Sequence, residues 1–209
     1  MLLNAIKLKT FLLLLSSLLA ADAFSQEQEI YHLSFSDTDN FRMTTSFYDK
    51  RPDTVYILDT TQCWNPDRFW LKDLDRNLLN TKFLSRDEHH PYHHTYLFRD
   101  KELDKLFSKQ QKKSLQERCS TIVSKNITIN GPYYKTIASS ENITGFYFVS
   151  TEPLFDSNGH YAFIDLLVYR KEFGDQNIPE TYFGTICIVF EKQEDDSWKK
   201  IKVMNHVIL

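Results

Sequence analysis

The last third of the chain alternates with a period of two. Ala162, Ile164, Leu166 and Val168 fall on one side of an extended segment, and Phe163, Asp165, Leu167 and Tyr169 on the other. This predicts a strand with one wholly apolar face and one mixed face. Thr185 to Glu191 repeats the arrangement, with Ile186, Ile188 and Phe190 inward and Thr185, Cys187, Val189 and Glu191 opposite. Ile201 and Val203 then alternate with Lys200 and Lys202 in a final strand. Between these segments, Asp156-Ser157-Asn158-Gly159 and Glu194-Asp195-Asp196-Ser197 supply side chains that cap their own backbone, so the strands are expected to pair antiparallel as a meander. Phe146 to Val149 reads as the preceding strand, closed by Pro153, which cannot donate to a ladder. Val55 to Leu58 is a further short strand with no pairing partner legible in the sequence.

The middle of the chain changes to helical spacing. Ser108 and Gln111 form a capping-box pair, after which Leu115, Cys119, Ile122 and Val123 recur at helical intervals. Asn65 and Pro66 have the chemistry of an N-cap and first helical residue, followed by a stripe of Leu71, Leu74 and Leu78. Asp100 to Phe107 predicts a shorter helical turn, and Asn130-Gly131-Pro132 a turn before the sheet.

At the N-terminus, Lys7 and Lys9 precede the apolar run Phe11 to Leu19, and small residues follow at Ala20, Ala21, Ala23 and Ser25. That is the pattern of a secretory signal peptide, too short to span a bilayer. The expected organisation is therefore a signal peptide over 1–25 and one α+β domain over 26–209, exported to the periplasm or beyond, with no membrane association after cleavage. Losing two lysines and one aspartate takes the formal net charge from −3 to −4. The one dense basic stretch, Lys109 to Lys113, lies on a predicted helix, where a solvated face accounts for it, so no nucleic-acid partner is expected.

Candidate chemistry is sparse. His89, His90, His93 and His94 crowd into Asp87-Glu88-His89-His90-Pro91-Tyr92-His93-His94, and imidazoles with nearby carboxylates suit zinc, copper or nickel. Pro91 disfavours a helix through both pairs, and a strand would send His93 and His94 to opposite faces, so an exposed loop is the competing reading. Asp165, set among apolar residues, must reach water or find a partner. Either it is a buried general acid or base, or it forms an ion pair with Lys200 or Lys202 of a strand in the same sheet. Cys63, Cys119 and Cys187 are odd in number and lack metal-ligand spacing; free thiols are preferred over one of three possible disulfides. No nucleophile elbow, phosphate loop, dinucleotide fingerprint or His-Glu-x-x-His helix occurs, and no cofactor is expected.

The segments Phe148-Val149-Ser150-Thr151-Glu152-Pro153-Leu154-Phe155 and Tyr161-Ala162-Phe163-Ile164, the strand opening at Phe183-Gly184 and the closing Trp198-Lys199-Lys200-Ile201 resemble a group of uncharacterised exported proteins of Bacteroidetes-type bacteria. Ser108 to Gln116 and Ala23-Phe24-Ser25-Gln26 echo the same group. The resemblance implies a bacterial exported protein and carries no activity. The fold expected from all this is α+β, with helices of the first half packed on one face of an antiparallel C-terminal meander. Function is expected to be that of a non-catalytic binding or interaction module with an unknown ligand or protein partner. The alternative is a small hydrolase or metal-dependent enzyme using the histidines or Asp165.

Overall fold

The computed structural model describes residues 24–41, 44, 54–69, 96–171 and 181–207. The signal-peptide core, the Leu71-Leu74-Leu78 stripe and the four clustered histidines lie outside the described residues. The described helices are α1 (24–36), α2 (Lys101–Leu106) and α3 (Lys109–Cys119), with 3-10 turns at Thr38–Phe41, Pro66–Phe69 and Leu97–Arg99. The strands are β1 (Val55–Leu58), β2 (Tyr134–Ile137), β3 (Gly145–Ser150), β4 (Leu154–Phe155), β5 (Tyr161–Lys171), β6 (Thr181–Lys192) and β7 (Trp198–Val207). Among the described residues no helix is long and apolar enough to cross a membrane.

The chain is α+β, and its strands form one seven-stranded sheet in the order β2-β1-β3-β5-β6-β7, with β4 pairing β5. β3, β5, β6 and β7 are antiparallel neighbours, as the alternation predicts. The sheet as a whole is mixed rather than a pure meander. β1 lies parallel to both β2 and β3, so a strand from the first half of the chain sits inside the sheet.

Turn chemistry follows the sequence closely. The Asp156 carboxylate accepts from the backbone N–H groups of His160 and Tyr161, and Gly159 takes a φ of 66° that a residue with a Cβ would resist. At α3 the capping box is complete: the Ser108 hydroxyl accepts from the Gln111 N–H, and the Gln111 side chain accepts from the Ser108 N–H. The helix stops at Cys119 because the hydroxyls of Ser120 and Thr121 take up the last carbonyls, those of Gln116, Glu117 and Arg118. Val123, expected on the apolar stripe, is therefore beyond the helix and 72% exposed. Lys112, expected on a solvated face, is instead buried against Phe98 and pairs with Asp104.

The expected interior is present. Ala162, Ile164, Leu166 and Val168 share one core with Ile186, Ile188 and Phe190, covered by Ile30, Tyr31 and Phe35 of α1. Helices, however, lie on both faces of the sheet. On the mixed face, Phe163, Cys187 and Val189 pack under Phe69, Leu97, Leu103, Phe107, Leu115 and Cys119 from α2, α3 and the flanking turns. The reason is that the mixed face is not polar enough to remain in water: along the paired stretches Phe163–Leu167 and Thr185–Val189, only Asp165 and Thr185 interrupt its apolar residues. Ion pairs tie the layers together. Lys125 bridges Glu27 of α1 and Glu152 at 2.6 and 3.0 Å, and Lys202 reaches Asp100, the N-cap of α2, and Glu102 in its first turn at 2.8 and 2.7 Å.

Candidate functional site

Asp165 has a partner, but not the one expected. Its two oxygens accept from Nε and Nη2 of Arg68 at 2.8 and 2.9 Å, a two-pronged pair whose side chains are 4% and 6% exposed. Lys200 and Lys202 are too far across the sheet, because β6 separates β5 from β7 and the cross-strand neighbours of Asp165 are Cys187 and then Met204. A register shift between Val189 and Phe190 also sends the two lysines to opposite faces. Lys200 pairs with Asp37 near the end of α1, and Lys202 with Asp100 and Glu102. The same shift sends Ile201 and Val203, expected to share a face, into the cores on opposite sides of the sheet.

Arg68 is delivered by the segment that follows β1. The Thr61 N–H donates to the Lys125 carbonyl and the Gln62 N–H to the Ser150 carbonyl, which lays this stretch along the end of β3. Trp64 is buried, and its indole N–H donates to the Glu152 carbonyl at 2.7 Å. Proline at 66 then suits the tight turn Pro66–Phe69, closed by the Arg68 N–H donating to the Asn65 carbonyl at 3.0 Å. Phe69 anchors the turn edge-on against Phe163. Thr151 fixes the other partner: its N–H donates to the Asp165 carbonyl, and its hydroxyl accepts from the Asp165 N–H at 3.0 Å.

Burial works against the charge on Arg68, but the adjacent Asp165, with Cys187 beside it, outweighs that penalty and raises the guanidinium pKa above its ordinary value. Burial is also the main reason that the Cys187 thiol is pushed well up; the Asp165 carboxylate adds to the rise and Arg68 partly offsets it. The unfolded chain ionises a cysteine near pH ~8.5, while the folded chain keeps this one neutral. Its contribution to stability is therefore whole below that pH and declines as pH rises toward the folded value, at up to about 1.4 kcal/mol per pH unit. Urea midpoints measured from pH 7 to 10 are expected to fall more steeply for the wild type than for Cys187→Ala. Parallel profiles would mean that the thiol ionises equally in both states.

Beside the pair lies a cavity of about 260 Å³, lined by Gln62, Asn65, Arg68, Thr151, Asp165 and Thr185, with Leu167, Tyr169, Tyr182 and the exposed Cys63 completing it. A wider, more open groove of about 620 Å³ shares Gln62, Cys63 and Tyr169 with it and continues over Leu58, Tyr147 and Val149. Strand register builds this floor. Tyr56, Tyr147, Tyr169 and Tyr182 are successive cross-strand partners on β1, β3, β5 and β6, one row along the mixed face. The Tyr147 and Tyr169 rings stack at 5.4 Å and 10°, and Tyr182 meets Tyr169 at 5.6 Å. The Tyr182 and Thr185 hydroxyls bond to each other.

Of the residues singled out in the sequence, the structure brings Asp165 and Cys63 to this cavity and places Cys187 behind it. Cys119, the last residue of α3, faces the core, and no disulfide joins the three. Among the described residues no group of three or more histidine, cysteine or acidic side chains is placed to hold a metal. The sequence reading missed Arg68, Thr151, Tyr169, Tyr182 and Thr185. The signal for Arg68 was indirect: a carboxylate among apolar strand residues calls for a cation, and Arg68 is followed by the aromatic pair Phe69-Trp70. No protein-family model matches the chain, nor does any curated protein or solved structure.

Proposed function

We propose that this is an exported, soluble, non-catalytic binding module of bacterial origin whose ligand enters the cavity beside Arg68 and Asp165. The observation that carries the reading is the state of the ionisable groups there. Each Asp165 oxygen accepts from Arg68, and the Cys187 side chain behind them is fully buried, so the carboxylate is engaged in a structural ion pair and the thiol is out of reach of a substrate. What the cavity offers instead is a set of fixed hydrogen-bonding groups in a concave site, the requirement for recognition. The alternative, a small hydrolase or metal-dependent enzyme, has less support: Asp165 is committed to an ion pair, and the histidine segment lies outside the described residues.

A screen of small soluble metabolites, read by thermal shift and by NMR shifts of Thr151, Tyr169 and Thr185, tests this. Saturable shifts at those residues without turnover are expected, with Tm rising as ligand exceeds its Kd. Hydrolysis of an ester or amide probe that disappears in Cys63→Ser would overturn the binding reading in favour of an enzyme.

A further inference from the structure

We infer that the ligand of this cavity is a neutral carbohydrate, one sugar ring seated beside Arg68 and Asp165 and a second unit lying along the open groove; this rests on the binding reading above. Charge at the cavity wall points this way. Arg68 and Asp165 neutralise one another at the wall of the cavity, so an ionised ligand would lose its water without meeting a net counter-charge. So does the polarity of the lining. Gln62 and Asn65 bring amides that both donate and accept, the Tyr182 and Thr185 hydroxyls, bonded to each other, still share one O–H and spare lone pairs, and an apolar ligand would desolvate these groups without replacing the lost bonds.

A peptide is disfavoured by the sheet itself. β3, β5 and β6, which supply the floor, are interior strands in the sheet order, so strand addition has no outer edge strand to use at this floor. A sugar ring fits each of these constraints. Every hydroxyl donates and accepts, matching the mixed wall, while its C–H face can rest on Leu167 and Tyr169. Size agrees too: about 260 Å³ has room for one ring but is below the usual range for a drug-sized molecule. The groove that shares Gln62, Cys63 and Tyr169 gives the next unit somewhere to lie, over Tyr147 and Val149.

The test is ligand-observed and backbone NMR on the purified protein. The probes are neutral monosaccharides and their disaccharides, the corresponding uronic acids and amino sugars, free amino acids and short alkanols. Neutral sugars are expected to shift Thr151, Tyr169 and Thr185 with millimolar Kd, and a disaccharide to bind at least about threefold tighter than its monomer. Gln62→Ala, at an exposed position, and Tyr182→Phe, which removes only a hydroxyl, are each expected to weaken binding about fivefold with the far-ultraviolet spectrum unchanged. Tighter binding of charged sugars, or unchanged affinity in both variants, would overturn the assignment. Shifts produced only by amino acids or alkanols would reject the sugar and leave a binding module. Silence from every probe up to about 100 mM would reject both.

Discussion

Arg68→Met is expected to remove about 3–5 kcal/mol of stability, a large share of the ~5–15 kcal/mol that holds a typical domain together. The magnitude comes from what stays behind. With the guanidinium gone, the Asp165 carboxylate is left 6% exposed, on an interior strand, beside a neutral thiol and without a counter-charge. Asp165→Leu alone is expected to be comparably damaging, since it strands the guanidinium. The double variant Arg68→Met with Asp165→Leu should recover most of the loss, because a buried ion pair replaced by apolar side chains of similar size is near neutral. Urea denaturation of the four proteins gives the coupling directly. A loss under ~1 kcal/mol for Arg68→Met would show that water reaches the carboxylate.

Phe163→Ala is the second large effect, expected at about 3–5 kcal/mol. Phe163 is fully buried on the mixed face, edge-on to Phe69 at 5.7 Å and 5.6 Å from Phe107. Truncation leaves a cavity under two aromatic rings that belong to different segments. Because Phe69 adjoins Arg68 in the same 3-10 turn, the loss should reach the site as well. The Thr151 and Thr185 amide resonances are expected to broaden or shift in Phe163→Ala, whereas Ile164→Val, on the opposite face, should leave them in place at a cost of about 1 kcal/mol. Unchanged site resonances in Phe163→Ala would separate the turn from the core beneath it.

Much of the antiparallel sheet was legible because alternation is a local property. A run such as Ala162 to Tyr169 declares its two faces without reference to any other segment, and the capping box at Ser108 is equally local. Three features were not legible, for reasons of distance. β1 pairs with strands about eighty and ninety residues later, and nothing in a four-residue apolar run states which partner it will take or in which direction. The shift between Val189 and Phe190 inserts one residue into a ladder and so reverses the faces of Lys200 and Ile201 relative to a strict alternation. The covering of the mixed face follows from the balance of Phe163, Val189 and Cys187 against a single carboxylate, which a reading strand by strand underweights.

The candidate site was legible only as a tension. Asp165 in its apolar setting announced a buried charge, but the sequence offered the lysines of a strand in the same sheet and the fold chose an arginine 97 residues away. The histidine cluster drew attention because it is contiguous. The tyrosine row, whose members stand at 56, 147, 169 and 182, becomes a row only through the register of four strands.

The parallel placement of β1 also bears on how the chain reaches its final form. A strand at 55–58 waits for partners at 134–137 and 145–150, and α1 shares its core with Ala162, Ile164, Leu166, Val168, Ile186 and Ile188, so much of the packing surface of α1 is missing until the last third exists. Ribosome-bound chains ending before β5 would thus carry α1 in a protease-sensitive form, and formation of the cavity beside Arg68 and Asp165 would coincide with completion of the fold in a single late, slow event.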